Sequence, residues 1–237
     1  GHSVSIGYTA GETNQGYAAI AIGSEAGNNS QKLGAVALGP YSGNQRQGEQ
    51  SIAIGLYAGN QDQSNNSIAI GSFAGKDNQG EKSVAIGLSA GNSNQNKYSV
   101  AIGNLTGVSG QNECSIAIGN QAGKDNQGQY SIAIGLLAGN KDQNEYSISI
   151  GSNAGQTDQQ NNSIAIGNAA GYLNQNYNSV AIGLGAGNSN QNQYSLAIGN
   201  KAGYSNQGIS SVAIGQNAGY SNQNQNSLAI GKNAGKT

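Results

Sequence analysis

A strict sixteen-residue period organises the whole chain. The stretch Ser51–Gly55 (Ser-Ile-Ala-Ile-Gly) is one copy of a pattern that returns fifteen times, from Ser3 to Ser227, without an inserted or deleted residue. A unit of this length is too short for the common helical repeats, which need about twenty residues or more. It fits one coil of a solenoid in which each repeat stacks on its neighbours. The sequence therefore predicts an all-β fold, a parallel β-solenoid of fifteen 16-residue coils.

The first positions of the repeat predict a short strand. Counted from the serine, position 2 is always Ile, Val or Leu, position 4 is Ile in every copy except Leu38, and position 3 is Ala apart from Ser5 and Ser149. Alternation of β-branched residues with period two is typical of a strand that buries one face. We expect positions 2 and 4 to fill the interior of each coil, and positions 1 and 3 to form a second face of small residues.

Glycine recurs at positions 5 and 9 of all fifteen copies. Such glycines mark turns with positive φ or places where backbones pack closely, so we expect each coil to bend at least twice. Position 8 is Ala except for Ser42 and Thr106, which predicts a tight inward-facing site. Positions 10 to 12 are polar and variable, and positions 14 to 16 are expected to complete the coil as a second extended stretch.

Position 13 is Gln in every complete copy, within a run whose other positions vary. An invariant amide in each coil is typical of a ladder in which each side chain hydrogen-bonds to the one a coil above. A row of exposed Gln side chains that recognises a partner is the alternative interpretation. The residues assigned to the structural ladder include Gln63, Gln79, Gln95, Gln127 and Gln143.

The composition leaves a single column of coils poorly filled. The chain has one Phe, no Trp and no Met, so few large side chains are available for a broad interior. A flat stripe of Ser and Ala at positions 1 and 3 would let two or three columns pack side by side. We therefore expect a homo-oligomer, a trimer, with positions 2 and 4 inside each column and positions 1 and 3 near the interface.

The repeat resembles those of two groups of surface proteins. Ser83–Gly87 and Ser211–Gly215, both Ser-Val-Ala-Ile-Gly, are similar to the repeats of trimeric autotransporter adhesin heads of the Hep/Hag type. Ala213–Gln223 is still more similar to the longer Ala-Ile-Gly-x-x-Ala-Gly repeats of phage and large-DNA-virus fibre proteins. The resemblance implies a left-handed β-roll, a trimer, exposure on a virion or cell surface, and a role in attachment or as a spacer. The adhesin-head unit is usually shorter than the unit of this chain.

Charge indicates neither a nucleic-acid nor a membrane partner. The formal net charge is −1 and 9% of the residues are charged, so no basic surface is predicted. No apolar run approaches the roughly 18 residues of a membrane span. Residues 1–2 are interpreted as a cloning remnant, and residues 3–237 as one continuous array from a longer protein. Cys114 is the only cysteine and cannot form an intrachain disulfide.

The residue types needed for catalysis or metal binding are scarce. His2 is the only histidine, which leaves no Ser-His-Asp or Cys-His pair and no His/Cys metal cluster. The acidic residues do not pair as in a glycoside hydrolase. No Asp recurs in each coil, as calcium-binding repeats require. The sequence therefore predicts no enzyme, no cofactor and no metal site.

The leading prediction is a structural fibre or adhesin shaft segment, extracellular on a virion or cell surface. The alternative is a module that binds a surface glycan or receptor. Tyr172, Tyr204 and Tyr220 share position 10 and are candidate glycan contacts, because exposed aromatic rings present an apolar face with a polar tip; alternatively, they only cover backbone at a turn. An ice-binding protein is the less favoured hypothesis, because Thr residues occupy unrelated repeat positions instead of forming a row.

Overall fold

A computed structural model describes residues 2–236, which form short β-strands and turns without a helix. The chain divides into two compact units, Gly1–Ile118 and Gly119–Thr237. Within each unit the strands are parallel, and each pairs with the strand sixteen residues away, as Ile52 with Ile68 and Ile164 with Val180. The prediction of an all-β, parallel β-solenoid is confirmed.

The described part of the first unit, unit 1, contains twelve strands of three residues each. They are β1 (Val4–Ile6), β2 (Ile20–Ile22), β3 (Val36–Leu38), β4 (Ile52–Ile54), β5 (Gln61–Gln63), β6 (Ile68–Ile70), β7 (Asp77–Gln79), β8 (Val84–Ile86), β9 (Ser93–Gln95), β10 (Val100–Ile102), β11 (Ser109–Gln111) and β12 (Ile116–Ile118). Strands β1, β2, β3, β4, β6, β8, β10 and β12 pair in this order as the first sheet, and β5, β7, β9 and β11 belong to the second.

Unit 2 repeats this arrangement with thirteen strands among its described residues. They are β13 (Asp125–Gln127), β14 (Ile132–Ile134), β15 (Lys141–Gln143), β16 (Ile148–Ile150), β17 (Thr157–Gln159), β18 (Ile164–Ile166), β19 (Leu173–Gln175), β20 (Val180–Ile182), β21 (Ser189–Gln191), β22 (Leu196–Ile198), β23 (Ser205–Gln207), β24 (Val212–Ile214) and β25 (Leu228–Ile230). Here β14, β16, β18, β20, β22, β24 and β25 form the first sheet, and the odd-numbered strands β13 to β23 form the second.

The register places identical repeat positions opposite each other. In the first sheet Ala53 lies beside Ala69, and in the second sheet Gln63 lies beside Gln79. Every row of side chains along a unit therefore consists of one repeat position, which is the condition for side-chain ladders.

The interior of each coil is lined by small and amide side chains. Ala53 and Ala58, at positions 3 and 8, are fully buried, and so are Ser51 at position 1 and Gln63 at position 13. The Ile and Val side chains at positions 2 and 4 lie on the outer face and are half-buried or exposed, as in β4. The prediction that positions 2 and 4 fill the column while positions 1 and 3 face outward is therefore wrong.

The narrowness of the coil explains this inversion. A Cβ atom added to Gly59 would lie 2.6 Å from Oε1 of Gln63 and 3.2 Å from Cβ of Ala53, so little space remains between the two sheets beside the amide. Alternation with period two identifies the two faces of a strand but does not say which face is inside. In this chain side-chain volume decides, because the interior positions beside the invariant Gln hold Ala or Ser, with Thr106 at position 8 as the one larger residue among those described.

The second strand of each coil covers positions 11 to 13. In β5 the strand ends at Gln63, and residues 65–66 form a turn. Position 16 has a positive φ, 57° at Asn66 and 58° at Tyr98, so the chain cannot stay extended there. The prediction of a second extended stretch at positions 14 to 16 is therefore wrong.

The glycines at positions 5 and 9 act as predicted. Gly55 has a φ of 125°, and a Cβ atom there would lie 2.8 Å from the carbonyl carbon of Gly71 in the next coil. Gly59 has a φ of 51° and faces the Gln63 amide. Each position combines a backbone conformation that favours glycine with a close approach that excludes a side chain.

The same substitution at two glycines tests this account. We expect Gly59→Asn to lower the free energy of unfolding by about 2–4 kcal/mol, because the new side chain collides with a buried amide. Gly34→Asn should change it by less than about 1 kcal/mol, since a Cβ atom at Gly34 would meet only Cγ of Gln50, at 3.7 Å. Urea unfolding followed by circular dichroism measures both values, and equal losses would contradict the account.

Candidate functional site

The Gln side chains at position 13 brace the interior of each coil. Nε2 of Gln63 donates to the carbonyl oxygen of Ile52, across the coil, at 2.8 Å and to Oε1 of Gln79, in the next coil, at 3.1 Å. The same two kinds of bond recur at Gln159 in unit 2. Each of these amides ties one sheet to the other and one coil to the next.

The predicted ladder residues all lie in this buried row. The Nε2 to Oε1 distances are 3.1 Å from Gln63 to Gln79, 3.4 Å from Gln79 to Gln95 and 3.5 Å from Gln127 to Gln143. Each of the five side chains is at most 1% exposed. Buried amides cannot offer an exposed recognition surface, so any such surface lies elsewhere.

The outer face of the first sheet carries an uninterrupted aliphatic stripe, our name for the Ile, Val and Leu side chains at positions 2 and 4. In unit 2 it comprises fourteen side chains, two from each of seven strands, and none of them is buried. Ile150, for example, is 36% exposed. Monomeric proteins rarely expose apolar patches much larger than a few hundred Å², so the stripe is the strongest candidate for an interaction surface.

The predicted glycan contacts separate into a pair and a single residue. The rings of Tyr204 and Tyr220 stack with centroids 5.1 Å apart and an interplanar angle of 6°. Nζ of Lys201 lies 5.8 Å from the centroid of the Tyr204 ring, and Nζ of Lys236 lies 5.7 Å from that of Tyr220. Tyr172 lies two coils before Tyr204 and does not share this stack. The structure thus brings together two rings and two ammonium groups at one corner of unit 2.

Two further aromatic rows follow single repeat positions. In unit 1 the ring centroids of Tyr41 and Tyr57 are 4.7 Å apart and those of Tyr57 and Phe73 are 5.4 Å apart, all nearly parallel. In unit 2 Tyr130 and Tyr146 stack at 5.2 Å. Within each row one face of a ring covers the next ring, so a ligand would meet chiefly ring edges and the outer face of an end ring.

A shallow groove in unit 1 has a volume of about 430 Å³, and Arg46, Gly48, Asp62 and Glu81 are among the residues that line it. Its lining carries charges of both signs. The Arg46 guanidinium donates to the carboxylate of Asp62, and this hydrogen bond holds the pKa of Asp62 below its ordinary value. Glu81 forms an ion pair with Lys82 at 3.2 Å. Both carboxylates of the groove are therefore already paired with cations.

Two features that would indicate a function are absent from residues 2–236. Across this described range, no cluster of three or more His, Cys, Asp or Glu side chains is arranged to hold a metal ion. Nor does the range contain a helix with the length and apolar character that a membrane span requires.

Comparison with known proteins assigns no family. No family model, no curated protein and no solved structure matches the chain. The resemblance to adhesin-head and fibre-protein repeats therefore stays a prediction from the motif.

Sequence reasoning missed the aliphatic stripe as an outer surface. The signal that could have revealed it is the pairing of Ala at positions 3 and 8 with Gly at position 9 and Gln at position 13, as in Ala53, Ala58, Gly59 and Gln63. Three small residues around one long amide fill a narrow space, and no room remains there for Ile.

A matched pair of substitutions in β5 tests the buried amide. Gln63→Leu keeps the approximate size but removes the donor to Ile52, so we expect a loss of about 2–4 kcal/mol in the free energy of unfolding. Gln61→Leu, two residues away with an exposed side chain, should change it by less than about 0.5 kcal/mol. Chemical denaturation of both variants measures the difference. A Gln63→Leu protein as stable as the parent would show that the ladder is dispensable.

Proposed function

We propose that this chain is a structural segment of a surface fibre or adhesin, a homotrimeric spacer or attachment element on the outside of a virion or cell. The aliphatic stripe carries the proposal. Each coil carries two large aliphatic side chains on the outside of a core of mainly Ala, Ser and Gln, at the same two positions in both units. Further copies of the same chain would cover the stripe without requiring any other sequence.

The area of the stripe supports self-association. Stable protein interfaces bury about 800 Å² per partner, and the stripe of unit 2 offers a continuous row of fourteen aliphatic side chains, none of them buried. Its apolar composition is that of an obligate interface, which resembles a divided core. The number three comes from the resemblance of the Ser-Val-Ala-Ile-Gly units to adhesin-head repeats.

A non-catalytic role agrees with the chemistry of the surface. Only 9% of the residues are charged, and the carboxylates of the groove in unit 1 are held in ion pairs. Extracellular placement follows from the proposed role as a surface fibre or adhesin, and the resemblance to such repeats supports it.

Light scattering at micromolar concentration tests the assembly. We expect a mass of three times 23.8 kDa for the parent chain. Ile166→Asp places a carboxylate in the stripe, so it should dissociate the assembly, because an unpaired charge in an apolar interface is strongly unfavourable. Leu173→Asp makes a comparable change in β19 of the second sheet, outside the stripe, and should leave the mass unchanged.

Circular dichroism separates dissociation from unfolding in these variants. Ile166→Asp should keep the β spectrum of the parent while losing the oligomeric mass. A monomeric parent chain would refute the proposed assembly, and so would an Ile166→Asp variant that stays folded and trimeric.

A glycan-binding module is the second candidate function. The pairing of Tyr204 and Tyr220 with Lys201 and Lys236 favours it, because aromatic rings beside ammonium groups suit an anionic saccharide. On an array of acidic glycans, Tyr204→Ala and Tyr220→Ala should each reduce binding about tenfold, the effect of roughly 1.4 kcal/mol. The control is Tyr177→Ala, which removes an exposed ring elsewhere in unit 2. Equal binding by all three variants would exclude this cluster.

A further inference from the structure

One face of the Tyr204 ring has no aromatic neighbour. Tyr220 covers the opposite face, with the two ring centroids 5.1 Å apart and the rings nearly parallel. The uncovered face is directed toward the preceding coil, in which Asn188 occupies the same repeat position. The stack of Tyr204 and Tyr220 therefore has an open end toward the N-terminal side of unit 2.

Asn188 leaves one level of this row without a ring. Its Nδ2 donates to the carbonyl oxygen of Ala169 at 3.1 Å, and its Oδ1 accepts from the hydroxyl of Ser189 at 3.2 Å, so the amide is held against neighbouring chain. Tyr172 is the next aromatic residue of the row, two coils before Tyr204. Two coil spacings separate these tyrosines by about 9.4–9.8 Å along the direction of stacking. The row thus contains a gap of one coil between two tyrosines.

Position 7 also lacks a side chain at this gap. Gly185 is the only glycine at position 7, where the neighbouring coils carry Ala169, Lys201 and Asn217. A Cβ atom at Gly185 would lie 3.4 Å from Cε2 and 3.5 Å from Cδ2 of Tyr204, in ordinary contact with one edge of the ring. A longer side chain there would extend alongside the ring, so its absence leaves the gap free from this side.

The gap lies in a part of the chain that carries only positive charge, because no Asp or Glu follows Asp158. Nζ of Lys201 lies 5.8 Å from the centroid of the Tyr204 ring. The Lys201 side chain is exposed and forms no ion pair with any residue of the described range 2–236. An ammonium group beside an uncovered ring face is complementary to a ligand that combines a carboxylate with a ring of its own.

The width of the gap distinguishes two kinds of ligand ring. Carbon atoms pack best at about 3.5–4.0 Å, so a flat aromatic ring in contact with both tyrosine rings would need about 7–8 Å between them. The gap of about 9.4–9.8 Å is wider than that. A pyranose ring is puckered and carries hydrogen atoms or hydroxyl groups on both faces, so it is thicker than a flat ring and fills the additional space.

We propose that one pyranose ring of an acidic glycan enters the gap between Tyr172 and Tyr204, packs on the open face of Tyr204 and directs its carboxylate to Lys201. The inference rests on the glycan-binding module, the second candidate function above. It adds the location and the charge of the bound ring, and it assigns Tyr172 as the opposite wall. Tyr220 is then a positioning residue, which supports the Tyr204 ring from behind and does not touch the sugar.

A substitution that fills the gap tests the site without removing a proposed contact. Asn153 and Asn217 occupy position 7 with φ of 57° and 54°, so Gly185→Asn, at a φ of 61°, is expected to fold. We expect Gly185→Asn to weaken the binding of sialyllactose or of a hyaluronan tetrasaccharide about tenfold or more in isothermal titration calorimetry. Tyr172→Ala should have an effect of similar size. Leu137→Asn places the same side chain at position 7 of a coil outside the gap and should leave the affinity unchanged.

Two smaller probes separate the requirements for charge and for ring shape. Lactose has pyranose rings without a carboxylate, and benzoate has a carboxylate on a flat ring. Both should bind about tenfold or more weakly than sialyllactose. Lys201→Gln should remove the advantage of sialyllactose over lactose, because the ammonium group that pairs with the carboxylate is gone.

The outcomes distinguish this site from the function on which it rests. If the parent chain binds neither acidic glycan, the glycan-binding module and the site are both wrong. If Tyr204→Ala weakens binding while Gly185→Asn and Tyr172→Ala do not, the module stands and the gap is not its site. Benzoate that binds as tightly as sialyllactose would overturn the assignment of a sugar ring. Circular dichroism of each variant confirms that a loss of binding comes from a folded protein.

Discussion

The hydrogen bond from the position 13 amide to the carbonyl oxygen of position 2 sets the width of every coil. Between Gln63 and Ile52 it spans 2.8 Å and joins the two sheets across the interior. At this width the residue beside the amide must be glycine, as Gly59 is, and the remaining interior positions hold small residues, Ala or Ser in all described coils except that of Thr106. The buried hydroxyl of Ser67 keeps a hydrogen bond, because it donates to the carbonyl oxygen of Ser64 at 2.7 Å. The aliphatic residues are excluded from the core by this one geometric constraint.

The amide ladder also shows why the buried hydrogen-bonding groups of such a core cannot all find a partner. Each Nε2 has two hydrogens but meets three acceptors, which are the position 2 carbonyl, the carbonyl of the next position 1 residue and the next Oε1. Gln191 donates to Val180 and to Ser195, and Oε1 of Gln207 in the next coil is left without a partner. A buried acceptor without a hydrogen bond lowers the free energy of unfolding by about 1–3 kcal/mol. The net stabilisation by the ladder is therefore smaller in coils where an Oε1 atom has no donor.

The sequence predicted the fold well, but it did not predict which side of the first strand is inside. Periodicity located β4 at Ile52–Ile54 and the turn at Gly55, because spacing alone fixes these features. It could not orient the strand, since alternation looks the same from either face, and in ordinary cores the larger aliphatic side chains are the buried ones. The strand at positions 11 to 13 was missed because two of its three residues face solvent and vary, as Gln61 and Asp62 do.

Because positions 2 and 4 face outward, their aliphatic side chains are accessible to a partner, whereas positions 1 and 3 are not. In the interior, the replacement of Ala by Ser at position 3 leaves no unpaired hydroxyl at Ser149. Its hydroxyl accepts from Nε2 of Gln143 at 3.4 Å and donates to Oε1 of Gln159 at 2.5 Å, so it links the two amides of the ladder. The interior is therefore the same in nearly every coil and cannot distinguish one coil from the next. The features that differ from coil to coil therefore lie outside, at positions that the core does not constrain. Position 6 is one of these, because it varies from Leu136 to Ser152 and Asn168 while Gln143, Gln159 and Gln175 of the same coils stay buried.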